Sequence, residues 1–129
     1  MFSHFLDLIQ SEDVLQHIPL TTVEHGGTVT VQCAISGVYQ MIYWYKQTLG
    51  RMPQILAFKS PNQPNSNVLK NSLRFSAEMV DDNYVLKIKN ITSLDEGIYF
   101  CQTGTMFQMN FRNGTFLTVR GMYPTLDRC

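Results

Sequence analysis

The chain has 129 residues, 44% hydrophobic and 16% charged, with ten basic and ten acidic side chains and a formal net charge of zero. That length and composition describe one globular domain able to bury a core, with no room for a second. The basic residues are scattered, which excludes the electrostatic footprint of a protein that binds nucleic acid or an acidic membrane surface. No run of about twenty apolar residues is available to cross a bilayer.

Taken in order, Met1 to Gln10 is partly apolar but lacks a basic start, and Asp7 interrupts it, so it is not a complete signal peptide. Residues 1–12 read as leader remnant or vector-derived sequence, residues 13–120 as the folded domain, and residues 121–129 as the start of a stalk or linker in an ectodomain cut from a longer chain. Val14 and Leu15 open an edge strand that Pro19 kinks or ends, because proline brings no donor to a ladder. The Ile18-Pro19 bond is open to either isomer. After Gly26-Gly27, the residues Val29, Val31 and Cys33 alternate with Thr28, Thr30 and Gln32, the period-2 pattern of a half-buried strand. Ala34 to Met41 forms a loop, and Ile42 to Gln47 a strand on which an inward Trp44 sends Tyr45 and Gln47 to the opposite face.

Thr48 to Pro53 is a turn, with Gly50 to permit it and Pro53 to stiffen it. Gln54 to Phe58 follows as a strand with more apolar residues than a core alone explains. Lys59 to Asn71 is rich in turn formers without an apolar period, and reads equally as a solvated connector or a recognition loop. Leu73 and Phe75 form a short strand, Asp81-Asp82-Asn83 a turn, and Tyr84, Leu86 and Ile88 the inward face of the next strand, with Ile91 closing the bottom of the core. A strand ends at Cys101, Gln102 to Asn110 forms a third loop, and Phe111 to Val119 is the last strand.

Cys33, Trp44 eleven residues later, and the run Asp95-Glu96-Gly97-Ile98-Tyr99-Phe100-Cys101 carry a family resemblance. Together they resemble the immunoglobulin V-set, an all-β, two-sheet Greek-key sandwich, from about Asp13 to Arg120. Within that set, Tyr43-Trp44-Tyr45-Lys46-Gln47-Thr48-Leu49-Gly50, Pro53 and the Asn113-Gly114-Thr115-Phe116-Leu117 run resemble the novel immune-type receptors of bony fishes; T-cell-receptor variable domains share most of these residues. The last strand resembles the Phe-Gly-x-Gly-Thr-x-Leu-x-Val pattern of joining segments, and departs from it at Arg112, where the family's first glycine supports a bulge.

The resemblance implies a Cys33–Cys101 disulfide between the sheets, a core built on Trp44 and Leu86, a Tyr99 corner hydrogen bond, and a structural ion pair between Arg74 and Asp95 at the end away from the recognition loops. A disulfide closing so long a loop is worth about 4 kcal/mol in the chain-entropy description. It also implies an oxidising compartment, hence the extracellular part of a type I cell-surface protein whose membrane segment lies outside this chain.

The histidines His4, His17 and His25 make no metal-ligand spacing, and no phosphate loop, nucleophile elbow or His/acid constellation occurs, so neither enzyme chemistry nor a cofactor is expected. Binding has two candidate surfaces. One is the outer sheet face with Tyr45, Gln47 and Phe100, and Pro53, Ile55, Phe58 and Phe111 at its margins, which in paired V domains forms the domain interface, built on strands the family calls C, C′, F and G. The bland alternative is a few exposed aromatics of no consequence.

The other surface is the third loop, where Met106, Phe107 and Met109 contact a partner or fold back over the sheet, with Tyr39 and Gln40 beside them. Two sequons, Asn90-Ile91-Thr92 and Asn113-Gly114-Thr115, are glycosylation candidates, the second expected to be used less because it lies near the proposed interface. Cys129 is left as a free thiol, an interchain bridge or half of a pair lost by truncation. The expected partners are a protein on another cell, met through the tip loops, and a second copy in a V–V homodimer. The alternatives are one half of a heterodimeric antigen receptor and a homophilic adhesion module.

Overall fold

The computed structural model describes residues 18–35, 37–69, 73–105 and 109–121. Among the described residues the strands are β1 (Leu20–Glu24), β2 (Val29–Ala34), β3 (Met41–Gln47), β4 (Gln54–Lys59), β5 (Asn67–Val68), β6 (Phe75–Val80), β7 (Asn83–Ile88), β8 (Gly97–Gly104) and β9 (Met109–Arg120), with a 3-10 turn at Ser93–Asp95. They form two sheets, one of order β1-β9-β8-β3-β4-β5 and one of order β2-β7-β6. All pairings are antiparallel except β1 with β9. No peptide bond among the described residues is cis, so Ile18-Pro19 is trans.

Alternation decides which side chains meet between the sheets. Val29 and Cys33 on β2, Ile42 and Trp44 on β3, Tyr84, Leu86 and Ile88 on β7, Tyr99 and Cys101 on β8, and Leu117 and Val119 on β9 point inward and share one core. The Cys33–Cys101 disulfide crosses it with a Cα–Cα distance of 6.5 Å. Trp44 lies directly opposite Cys101 in the β3–β8 register and 6.2 Å from the Tyr84 ring, so the tryptophan packs where the two sheets are stapled. Ile91 is fully buried beneath them.

One end of the sandwich is closed by polar contacts. The Arg74 guanidinium donates to both Asp95 carboxylate oxygens, at 2.9 and 3.1 Å, and to the carbonyls of Lys89 and Asn90. Asp95 also accepts the Thr92 amide at 2.8 Å, and the Thr92 hydroxyl accepts from Leu94, so Thr92 and Asp95 form a capping box around the 3-10 turn. Burial pushes the Asp95 carboxyl up, but the Arg74 hydrogen bonds, the Thr92 amide and the Arg74 charge together outweigh it and hold the group below the usual carboxylate range. The Tyr99 hydroxyl donates to the Asp95 carbonyl at 2.6 Å, making the corner hydrogen bond beside the ion pair.

Several element bounds differ from the sequence reading. The strand expected at Leu73 and Phe75 runs from Phe75 to Val80, and Leu73 lies before it, fully exposed. Its turn shrinks to Asp81-Asp82, with Asp81 at a φ of 55°, because Asn83 pairs with Ala34 and Val80. The strand assigned to Gln54–Phe58 includes Lys59. The third loop is shorter than Gln102–Asn110, because Gln102 to Gly104 continue β8 against Met41 to Tyr43 on one side and Met109 to Phe111 on the other. Backbone groups that a loop reading leaves to water are thereby satisfied within the sheet. The expected strand at Val14 and Leu15, the segment 1–12, Met106, Phe107 and Cys129 lie outside the described residues.

Candidate functional site: the outer sheet face and the loop end

Cross-strand register shows which residues share the outward face of the larger sheet. Tyr45 stands opposite Ile55 on β4 and Phe100 on β8, and Phe100 in turn opposite Gly114 on β9. One row towards the loops, Tyr43 is flanked by Phe58 and Gln102, and Gln102 by Phe111. One row the other way, Gln47 is opposite Ile98, and Ile98 opposite Phe116. These three rows contain no charged residue.

The rows are layered by ring packing. Tyr45 stacks on Phe100 with centroids 5.0 Å apart and planes 9° from parallel, Phe111 leans on Phe100 at 6.0 Å, and Tyr43 lies 5.7 Å from Tyr45 and 6.5 Å from Phe58. Phe100, expected at the surface of this face, is therefore completely buried under its neighbours although it is outside the core between the sheets. It supports the face and does not reach it. Gly114 makes the layer possible: a Cβ there would stand 3.1 Å from the Phe100 Cβ, 3.2 Å from the Tyr99 carbonyl and 3.3 Å from the edge of Phe111.

Burial, reinforced by the neighbouring Tyr43, pushes the Tyr45 hydroxyl up to about 12, so it stays a neutral donor at any physiological pH. Gln47 sends Nε2 to the Arg51 carbonyl at 3.3 Å, while its Oε1, like that of Gln102, is buried without a donor among the described residues. Ile55 is 38% and Phe116 44% exposed, and Pro53, Phe58 and Phe111 are half-buried. Leu20, in parallel register with Phe116, carries the apolar surface to the β1 edge at 68% exposure.

Arg112 occupies the bulge. The β8–β9 register shifts between Cys101, opposite Asn113, and Gln102, opposite Phe111, leaving Arg112 as the extra residue. It is not among the residues with positive φ, so the bulge forms without the glycine that the family pattern puts there. Its Nε donates to the Thr103 hydroxyl at 2.9 Å, tying the root of the third loop to β8.

At the loop end, Met109 is part of β9, and a Cβ on Gly104 would meet its sulfur at 2.7 Å and the Tyr43 ring at 3.7 Å. Met109 thus lies back against the sheet beside Tyr43, continuing the aromatic face towards the loops rather than standing out from the tip. Tyr39 is half-buried against the core, and Gln40 is exposed with its backbone amide donating to the Gly104 carbonyl at 2.8 Å. The connector after β4 is tied inward by a hydrogen bond between the Ser66 and Tyr84 hydroxyls.

Sequence reasoning missed Tyr43, Ile98, Gln102 and Phe116 on this face. The signal was present: they stand two residues from Tyr45, Phe100 or Gly114, and a period of two puts them there. Among the described residues no three of His, Cys, Asp and Glu are grouped to hold a metal, and no helix is long and apolar enough to cross a membrane.

A two-sheet sandwich stapled by a disulfide next to a buried tryptophan, with a tyrosine corner and an arginine–aspartate pair closing one end, is an immunoglobulin-like variable-type domain. The family model for the immunoglobulin V-set domain matches residues 18–120, and the chain belongs to that family. It is 31% identical over 97 residues to the Ig kappa chain V region K-25 of Oryctolagus cuniculus, covering 74% of this chain and 86% of that one. It is 33% identical over 82 residues to T cell receptor beta variable 12-5 of Homo sapiens, covering 63% and 71%. Among solved structures, the extracellular fragment with stalk region of novel immune-type receptor 11 from Ictalurus punctatus superposes with a TM-score of 0.72 at 27% identity, covering 81% of this chain and 86% of that one. The expected resemblance to novel immune-type receptors is thus found in the structural neighbours.

Proposed function

We propose that this domain is the ligand-recognition part of a cell-surface innate immune receptor, binding a protein on another cell through its loop end and pairing with a second copy through the outer face of the larger sheet. The observation that carries the pairing is the uncharged aromatic face of Tyr43, Tyr45, Ile55, Phe58 and Phe111, supported from below by Phe100. In a two-fold contact each group near the axis meets its own copy, so a face without charge pairs with itself free of like-charge repulsion. The V-set relatives, an extracellular receptor fragment and antigen-receptor chains among them, support the immune-receptor part. At one edge of the larger sheet β5 has only two residues, a short template for strand addition there.

The test is the solution mass of the oxidised domain over a concentration series, with Tyr45→Glu beside the wild type, together with staining of candidate target cells by wild type and Phe107→Asp. A concentration-dependent dimer lost in Tyr45→Glu, and cell staining lost in Phe107→Asp, are the expected results. A wild type that is monomeric throughout refutes the pairing, and undiminished staining by Phe107→Asp refutes recognition through the third loop. Staining lost only in Tyr45→Glu would point to homophilic adhesion instead.

A further inference from the structure

The two sequons occupy contrasting positions in the fold. Asn90 follows β7 at the tip of a turn, exposed, with a φ of 51° that asparagine tolerates better than most residues. Its backbone carbonyl accepts from Arg74 at 2.9 Å, but its side-chain amide has no hydrogen bond among the described residues. Asn113 is exposed too, yet its amide is engaged at both ends: Nδ2 uses one of its two hydrogens to donate to the Gln32 carbonyl of β2 at 3.1 Å, and Oδ1 accepts the Gly114 amide at 2.9 Å. The threonine of that second sequon is buried, its hydroxyl 2.5 Å from that of Thr21 and donating to the Pro19 carbonyl at 3.1 Å.

We propose that the folded domain carries one N-linked glycan, on Asn90, and that Asn113 is a structural asparagine whose glycosylated form does not reach the native state. In the transfer, Asn Nδ2 bonds to the anomeric carbon of a lipid-diphosphate-linked oligosaccharide. The bond from that carbon to the diphosphate oxygen breaks, its electron pair leaves with the diphosphate, and Nδ2 releases one proton. Transfer takes place on the unfolded chain, so the fold acts afterwards as a filter. A sugar on Asn90 displaces nothing. A sugar on Asn113 stands on the atom that bonds Gln32, and turning it out to solvent breaks the bonds to Gln32 and Gly114 that join β9 to β2 and shape the bulge.

The reason for disuse of Asn113 therefore differs from the sequence expectation. Asn113 is in register with the inward-facing Cys101 and bonds towards β2, so it does not lie on the proposed pairing face. A glycan on Asn90, at the end closed by Arg74 and Asp95, leaves both that face and the three loops uncovered.

The experiment is secretion of the full chain from a eukaryotic cell line behind a host leader, with intact mass and peptide mapping before and after the amidase that converts glycosylated asparagine to aspartate. Expected are a single glycan, conversion at position 90 only, and loss of the mass shift in Asn90→Asp. Asn113 occupied in half or more of the secreted, disulfide-bonded molecules would overturn the proposal, as would an unoccupied Asn90. The proposal rests on the extracellular reading only in needing a secretory pathway, which the host leader supplies; an unglycosylated secreted domain would sink it while leaving receptor function to the cell-staining test.

Discussion

Removal of the Asp95 carboxylate tests the account of how the sandwich end is held. The side chain is 4% exposed and accepts three hydrogen bonds, two from Arg74 at 2.9 and 3.1 Å and one from the Thr92 amide at 2.8 Å. Breaking a buried pair by deleting one partner costs about 3–5 kcal/mol. The Arg74 side chain is 29% exposed and keeps the Lys89 and Asn90 carbonyls as acceptors, so its stranded charge is partly satisfied and the low end of the range applies. Asp95→Ala should therefore lose about 3 kcal/mol, or roughly 15 °C in melting temperature for a domain of this size.

The assay is urea unfolding of wild type, Asp95→Ala, Arg74→Ala and the double variant, all oxidised, with the coupling energy taken from the cycle. A coupling of about 1 kcal/mol or more is expected, because the guanidinium fork and carboxylate are bidentate. The same carboxylate sets an acid limit. Its pKa is lowered in the folded state, so its contribution is fully present above the ordinary carboxylate value and is lost as the pH falls through the folded one. Asp95→Ala should lack that part of the acid transition. A cycle that couples by less than about 0.3 kcal/mol, within the additivity of independent sites, would refute the reasoning and make the pair a solvent-screened contact.

Two other predictions concern the aromatic layer and the tyrosines. Gly114→Ala should destabilise by about 1–3 kcal/mol, because the new methyl meets the Tyr99 carbonyl and the Phe100 and Phe111 side chains at 3.1–3.3 Å; a melting temperature equal to wild type would show that the layer yields easily. Tyr45 and Tyr84 are pushed up to about 12, and Tyr99 further, in each case first by burial. The folded state therefore holds these phenol protons more tightly than the unfolded chain. Their contribution is present below pH about 10 and is lost as the pH rises through the folded values. Absorbance titration should show delayed phenolate formation, followed by a rise that coincides with unfolding; normal titration of every tyrosine in the folded domain would contradict the burial.

How far the site was legible varies with the residue. For Trp44, Tyr45 and Gln47 it was fully so, since one inward tryptophan sets the parity of every neighbour on its strand. Parity also put Phe100 on the outer face, but parity does not report depth. Whether that ring meets solvent depends on Tyr45 and Phe111, which arrive from β3 and β9. Met109 shows the same limit: read as part of a tip loop, it pairs with Gly104 as a strand residue, and its sulfur fills the space that a side chain on Gly104 would need.

The arginine, aspartate and tyrosine that close one end were legible only through the V-set resemblance, but local chemistry written along the chain was enough for the sandwich itself, through the spacing of Cys33, Trp44 and Cys101 and the period-2 runs. These are properties of covalent order and backbone pleat, and they survive without knowledge of the neighbours. The tertiary structure alone decided the shift of register at Arg112, the burial of Phe100 and the engagement of Asn113 with Gln32. Each depends on contacts between residues 9 to 81 positions apart, and no local pattern encodes which groups such distances bring together.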